Sequence, residues 1–145
     1  MSKKNTVRVL ALVLALMMMV GALAGCTATT NTKVEVNGVT SETTETGSGA
    51  KTVTFVVNHG DGSTHTYTLH TDAATLGEAL LKEEIIAGQD SQYGLFVTTV
   101  DGETADDAKQ EWWCLTKGGK EWMNGVDTTD IADGEAYEFT LTVGY

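Results

Sequence analysis

The sequence predicts an α+β domain over residues 51–145: a small β-grasp-like fold, with a mixed or antiparallel sheet and one helix packed across it. Three observations point there. Two alternating apolar runs, Lys51–Asn58 and Thr64–His70, flank the turn cluster His59-Gly60-Asp61-Gly62-Ser63. Thr75-Leu76-Gly77-Glu78 opens an apolar stripe at helical spacing, and Glu135–Val143 alternates again near the carboxyl end. A period of two puts one side of a strand on a core, and a period of 3.6 does the same for a helix.

Each element has its own reason. In the first run Val53, Phe55 and Val57 share a face, and in the second Tyr67 and Leu69 do, which reads as a β-hairpin. Thr75-x-x-Glu78 is a capping box, in which a hydroxyl and a carboxylate satisfy amides of the first turn. Leu76, Ala79, Leu80, Ile86 and Ala87 then form the apolar stripe, with Gly88 as its expected stop. Gly94–Asp101 is a third strand, carrying Leu95 and Val97 on one face and Phe96 and Val100 on the other. Gly102–Glu111 is expected as an acidic, solvated loop. Trp112–Thr116 and Glu121–Met123 read as short strands around Lys117-Gly118-Gly119-Lys120. After a turn-rich loop, the closing strand aligns Tyr137, Phe139, Leu141 and Val143. Strands with a single helix give the α+β expectation.

Upstream, Lys3, Lys4 and Arg8 precede the apolar run Val9–Leu23, which is short for a membrane span and ends in Leu23-Ala24-Gly25-Cys26. This resembles the lipobox of bacterial lipoproteins, which implies a signal peptide over residues 1–25 and lipidation at Cys26. Acyl chains add about 0.8 kcal/mol per buried CH₂, enough with two chains for stable anchoring. The expected location is the extracytoplasmic face of a bacterial membrane, or the outer membrane where the host has two. Residues 26–50 hold eight Thr and few apolar residues, so they read as a flexible spacer.

Charge and chemistry narrow the function. Beyond residue 25 the chain has six Lys and no Arg against twenty acids, a net of −14. Phosphate-backbone binding needs clustered basic residues, so nucleic acid is not a partner. With Cys26 given to lipid, Cys114 stands alone in an apolar run and reads as a structural thiol. His59 lies in a turn, His65 faces inward with Tyr67 and Leu69, and His70 faces the other way, which argues against a three-His centre. Asp101, Asp106, Asp107 and Glu111 lack the spacing of an EF-hand. No Ser, His and acid stand in a triad order. The sequence therefore gives no catalytic residue, no metal site and no required cofactor, and points away from an enzyme.

From Val97 onward the ordered features are Thr98-Thr99-Val100, Trp112-Trp113-Cys114-Leu115, Gly118-Gly119, Gly125-Val126 and Ile131-Ala132-Asp133-Gly134-Glu135. This order resembles the carboxy-terminal β-domain of transcobalamin and intrinsic factor. Thr75–Leu80 and Tyr93-Gly94 also fit the bacterial secreted domains similar to it, the domain of unknown function 4430 type. The resemblance covers about 95 residues, the whole of residues 51–145. It implies that ligand is met by Val97 on the third strand, Leu115 on the Trp strand and Trp122 after the turn. Trp113 shares the face of Leu115 and is either its core support or its neighbour at the ligand surface. The animal carriers sandwich cobalamin against a larger helical barrel, for which this chain has no room.

Adjacent Trp112 and Trp113 must face opposite sides of a strand, and Trp122-Met123 repeats the arrangement. Two functions from different classes follow. One is a membrane-anchored ligand-binding module that captures cobalamin or a related corrinoid for uptake, partnered by a membrane transporter component or a second binding domain. The other is a cell-surface docking or adhesion module with no small-molecule ligand.

Overall fold

The computed structural model describes residues 29–145. The expected signal peptide and Cys26 lie outside the described residues. Strands β1 (Thr30–Val36), β2 (Val39–Gly47), β3 (Lys51–Asn58) and β4 (Thr64–Thr71) precede helix α1 (Leu76–Lys82). After it come β5 (Ile86–Ser91), β6 (Gly94–Val100), β7 (Glu103–Thr104), β8 (Glu111–Lys117), β9 (Lys120–Glu121) and β10 (Ala136–Val143). Short 3₁₀ turns occupy Asp107–Lys109 and Val126–Thr128. One sheet has the order β1-β2-β4-β3-β10-β8-β9, and a second has the order β5-β6-β7.

The α+β expectation is corrected by this arrangement. Strand dominates the described residues, in two sheets, and the helix is only seven residues long. Its capping was read correctly: Thr75 Oγ1 accepts from the Glu78 amide at 3.3 Å, while Glu78 Oε2 accepts from the Ala74 amide at 3.1 Å. Its end was not. Glu84 adopts a left-handed φ of 56°, and the Ile85 amide donates back to the Leu80 carbonyl at 2.9 Å. Ile86 and Ala87 therefore start β5 instead of extending the stripe. Gly88 sits at a bulge in that strand, where a Cβ would come 2.1 Å from the Phe96 carbonyl oxygen. It is glycine because another backbone passes there.

The expected spacer is also corrected. Residues 30–47 form an antiparallel hairpin whose second strand runs parallel to β4. Asn37 and Gly38, both at positive φ, supply the tight turn. Low hydrophobicity argued for disorder, yet β-branched Thr suits a pleated ribbon whose backbone groups pair with β4. Thr44 is buried there. The expected acidic loop holds β7 and a 3₁₀ turn.

β3 and β4 pair antiparallel with Phe55 opposite Tyr67, and β10 lies parallel to β3 with Phe139 opposite Val57. β8 then pairs antiparallel with β10, setting Leu115 opposite Phe139 and Trp113 opposite Leu141. The core lies on the inner face of these four strands: Val53, Phe55, Val57, Tyr67, Leu69, Trp113, Leu115, Tyr137 and Phe139. Leu76, Ala79 and Leu80 of α1 are buried with them, as are Ile85, Ile86, Val100, Val126 and Ile131. Each fully buried aliphatic side chain contributes about 1.5–3 kcal/mol. No helix among the described residues is long and apolar enough to cross a membrane.

Candidate functional site

Where β6 of the small sheet approaches β8 of the large one, the two sheets leave a cavity of about 270 Å³. Val97, Trp113, Leu115 and Trp122 all line it, so the fold brings together the three residues on which the family resemblance placed a ligand and Trp113, which shares the strand face of Leu115. Trp113 and Leu115 are core residues, each 7% exposed, and Val97 and Trp122 are half-buried against the same core. Trp113 is thus core support and lining residue together. Phe96 and Met123 also line the cavity and are exposed, at 61% and 86%. The sequence singles out neither as a site residue; Phe96 alternates outward on β6 between Leu95 and Val97, and Met123 lies in the loop after β9.

Trp122 is fixed from several sides. Its Nε1 donates to Thr129 Oγ1 at 2.9 Å, and that hydroxyl donates to the Gly125 carbonyl at 2.7 Å. Thr129 is buried, so the chain of bonds is sheltered from water. Lys117 Nζ lies 4.9 Å from the Trp122 ring centroid and 5.4 Å from that of Tyr137, and pairs with Glu135 Oε1 at 2.8 Å. The hydrogen bond from Lys117, aided by that from Tyr137, holds the Glu135 carboxyl down to about 2. Burial and the Glu135 hydrogen bond push the Tyr137 hydroxyl up to about 12. The same Glu135 hydrogen bond raises Lys117, which keeps its charge over the indole. The Gly94–Leu95 end of β6 is tied in by Asp127, whose Oδ2 accepts from the Leu95 amide at 3.1 Å. A Cβ on Gly94 would meet that carboxylate at 2.4 Å.

A second polar cluster lies behind the Trp113 wall, and sequence reasoning missed it. Asp101, at a left-handed φ of 49° after β6, accepts from His59 Nε2 at 2.9 Å, His65 Nδ1 at 2.7 Å and the Tyr67 hydroxyl. His59 Nδ1 meets Glu103 Oε2 at 2.6 Å, and His65 Nε2 meets Thr44 Oγ1 at 2.8 Å. Strand parity correctly separated the inward face of His65 from that of His70. What parity does not show is that the β3–β4 turn folds His59 back onto the small sheet. Burial raises the Asp101 carboxyl, but hydrogen bonds from Tyr67, His59 and His65 outweigh it and leave it lowered. Burial and the bond to Asp101 together push Tyr67 strongly upward. Among the described residues, no group of three or more His, Cys, Asp and Glu side chains is arranged to hold a metal ion. Cys114 is a half-buried free thiol, its pKa raised by burial and then by Glu121 and Glu138.

Comparison with known proteins follows the same outline. A family model described as a domain of unknown function (DUF4430) matches residues 73–142. A solved protein of Ruminococcus gnavus is 49% identical over 66% of this chain and 100% of its own length, with a TM-score of 0.65. The chain belongs to the DUF4430 family. The R. gnavus protein is described as a candidate metal-binding protein. The DUF4430 fold is also that of part of haptocorrin, solved in complex with Cbi, at 16% identity and a TM-score of 0.56. That match covers 66% of this chain and 25% of haptocorrin. No curated protein matches the chain.

Proposed function

We propose that this DUF4430 protein is a membrane-anchored, extracytoplasmic module that captures cobalamin or a related corrinoid for uptake. The observation that carries the reading is the convergence of Val97, Trp113, Leu115 and Trp122 on one apolar cavity. The likeness to haptocorrin supports it at the level of the fold. Enclosing sites for drug-sized ligands run from about 300 to 1,000 Å³. At about 270 Å³ this cavity accepts one edge of a large flat ligand, whose remaining face stays open to a second protein. A half-site must immobilise its ligand with part of the contacts, so the affinity expected for the chain alone is about micromolar or weaker. The second protein is a transporter component or another binding domain.

The anchor in this reading is the lipid on Cys26. Cys26→Ser should move the protein from the membrane pellet to the soluble fraction. Retention in the pellet would remove the anchor from the proposal.

A difference absorption spectrum on adding cobinamide to the protein tests the capture reading. A saturable change that Trp122→Ala weakens supports it. A second reading, a docking module without a small ligand, is favoured by the exposure of Phe96 and Met123 in the cavity lining. Contiguous exposed apolar surface marks protein contacts as well as ligand sites. A flat spectrum, together with loss of a protein partner in Trp122→Ala, would select that reading.

A further inference from the structure

The Trp113 wall has no hydrogen bond to hold it. Its Nε1 is buried without a partner, so packing alone sets the position of the indole. Two rings do that. Phe139 meets it edge-on at 6.4 Å between centroids, and His59 meets it edge-on at 6.3 Å. Phe139 is itself core, held by the sheet. His59 belongs to the β3–β4 turn and is held by its two ring nitrogens.

Both nitrogens face carboxylates, Nε2 toward Asp101 Oδ2 and Nδ1 toward Glu103 Oε2. An ionised carboxylate only accepts, so both contacts are hydrogen bonds only when the ring carries two protons. His65 differs: it can donate from Nδ1 to Asp101 and accept at Nε2 from the Thr44 hydroxyl while neutral. His59 is therefore the member of the cluster whose charge decides whether the bonds hold. The surroundings agree. Asp101 and Glu103 face it from the β6–β7 turn, Asp61 adds negative charge from its own turn, and Tyr67 and His65 reach it through Asp101 from β4. Glu42 on β2 lies beyond them, opposite His65 in register, and Trp113 of β8 and Leu141 of β10, both uncharged, face this turn.

We propose that His59 is a positioning residue for the cavity: gripped between Asp101 and Glu103 as an imidazolium, it sets the Trp113 wall, and deprotonation releases that wall and weakens ligand capture. Once one nitrogen loses its proton, its lone pair points at a carboxylate oxygen less than 3 Å away, and that contact turns repulsive. Burial lowers the His59 pKa, but the bonds and charges of Asp101 and Glu103 outweigh it and leave it raised. The grip is thus complete below the ordinary histidine value and is lost as pH rises through the higher folded value. The clause about capture rests on the corrinoid reading, whereas the clause about Trp113 stands without it.

The experiment follows the three indole N–H resonances of the full chain by NMR from about pH 6 to about pH 10, without ligand. The Trp113 signal should shift through one transition above the ordinary histidine pKa. The Trp112 signal, bonded to the Gly144 carbonyl, and the Trp122 signal, bonded to Thr129, should stay put. His59→Gln should abolish the transition. Glu103→Gln, whose amide can donate to a neutral imidazole, should shrink the transition, because Trp113 then stays in place after His59 loses its proton. A Trp113 signal that does not titrate, or that titrates equally in His59→Gln, overturns the positioning role.

The second arm titrates cobinamide at both ends of the range. Affinity should fall about tenfold at the alkaline end in the wild type and stay level in Glu103→Gln, a change of about 1.4 kcal/mol. Binding that is independent of pH while Trp113 titrates overturns the link to capture. If Trp113 titrates and cobinamide binds at neither pH, the corrinoid reading fails and the positioning of Trp113 stands.

Discussion

Lys117 places its ammonium 4.9 Å from the centre of the Trp122 ring while pairing with Glu135 at 2.8 Å. The pairing joins a strand end, a loop and the start of β10 around one wall of the cavity. Cation–π contacts at exposed sites contribute about 0.5–1 kcal/mol, and exposed ion pairs no more. Lys117→Met keeps the apolar stem and removes the charge. Its expected cost is about 1 kcal/mol in stability, with a shift in Trp122 emission and a few-fold weaker ligand binding. Unchanged emission and unchanged melting temperature would show that Thr129 alone positions the indole.

The same group of residues makes stability depend on acid. Glu135 ionises at about 2 in the folded protein against an ordinary value of 4.5. A carboxyl with a lowered folded pKa contributes stability that is present above its unfolded value and disappears as pH falls through the folded one. Melting temperature should therefore decline from about pH 4.5 toward about pH 2. Glu135→Gln should flatten part of that decline, leaving the part that belongs to Asp101, whose carboxyl is lowered as well. Identical acid profiles for wild type and variant would show that the Lys117 pair does not hold in solution.

Leu80 is fully buried at the centre of α1. Leu80→Asp places an unpaired charge in the core and should abolish cooperative unfolding, as read by thermal melts. Glu84→Gly tests the end of the same helix. Glu84 holds a left-handed φ of 56°, so glycine should be neutral or stabilising by up to about 1 kcal/mol. A clear destabilisation would mean that the helix continues toward Ile86.

Deleting residues 29–47 should lower the melting temperature and leave a cooperative transition. Every buried apolar residue of the core lies at Val53 or beyond, so the hairpin adds pairing without adding core. What is lost is the β2–β4 ladder, the Thr44–His65 bond, the contact of Glu45 with His70 Nε2 at 2.7 Å and the bond from Thr46 Oγ1 to Glu83 at 2.8 Å. An unfolded deletion variant would show that the bare edge of β4 cannot stand alone.

Much of this was legible before the fold was known, because alternation reports burial directly. Val53, Phe55 and Val57, then Tyr67 and Leu69, then Tyr137 and Phe139, all point inward as their period requires. The failures have physical reasons. Ile86 was buried as expected, but apolar spacing alone does not tell a helix from a bulged strand, and the left-handed turn at Glu84 falls on a residue with no preference for it. The first hairpin was read by hydrophobicity, when its signal was Asn37-Gly38 between Thr-rich arms. Val97, Leu115 and Trp122 came from motif order and Trp113 from the strand face it shares with Leu115, and all four line one cavity. The His59 cluster depends on how a turn of one sheet meets a turn of the other, and no local pattern encodes that meeting.

Calorimetric titration of the full chain with cobinamide, in parallel with Trp122→Ala, tests the central claim most directly. The expected result is saturable binding by the wild type at about micromolar or weaker affinity. The variant should lose about 2 kcal/mol of it, roughly thirtyfold, while still melting cooperatively. No heat from the wild type at ligand concentrations well above that range, from protein that melts normally, would contradict corrinoid capture by this cavity.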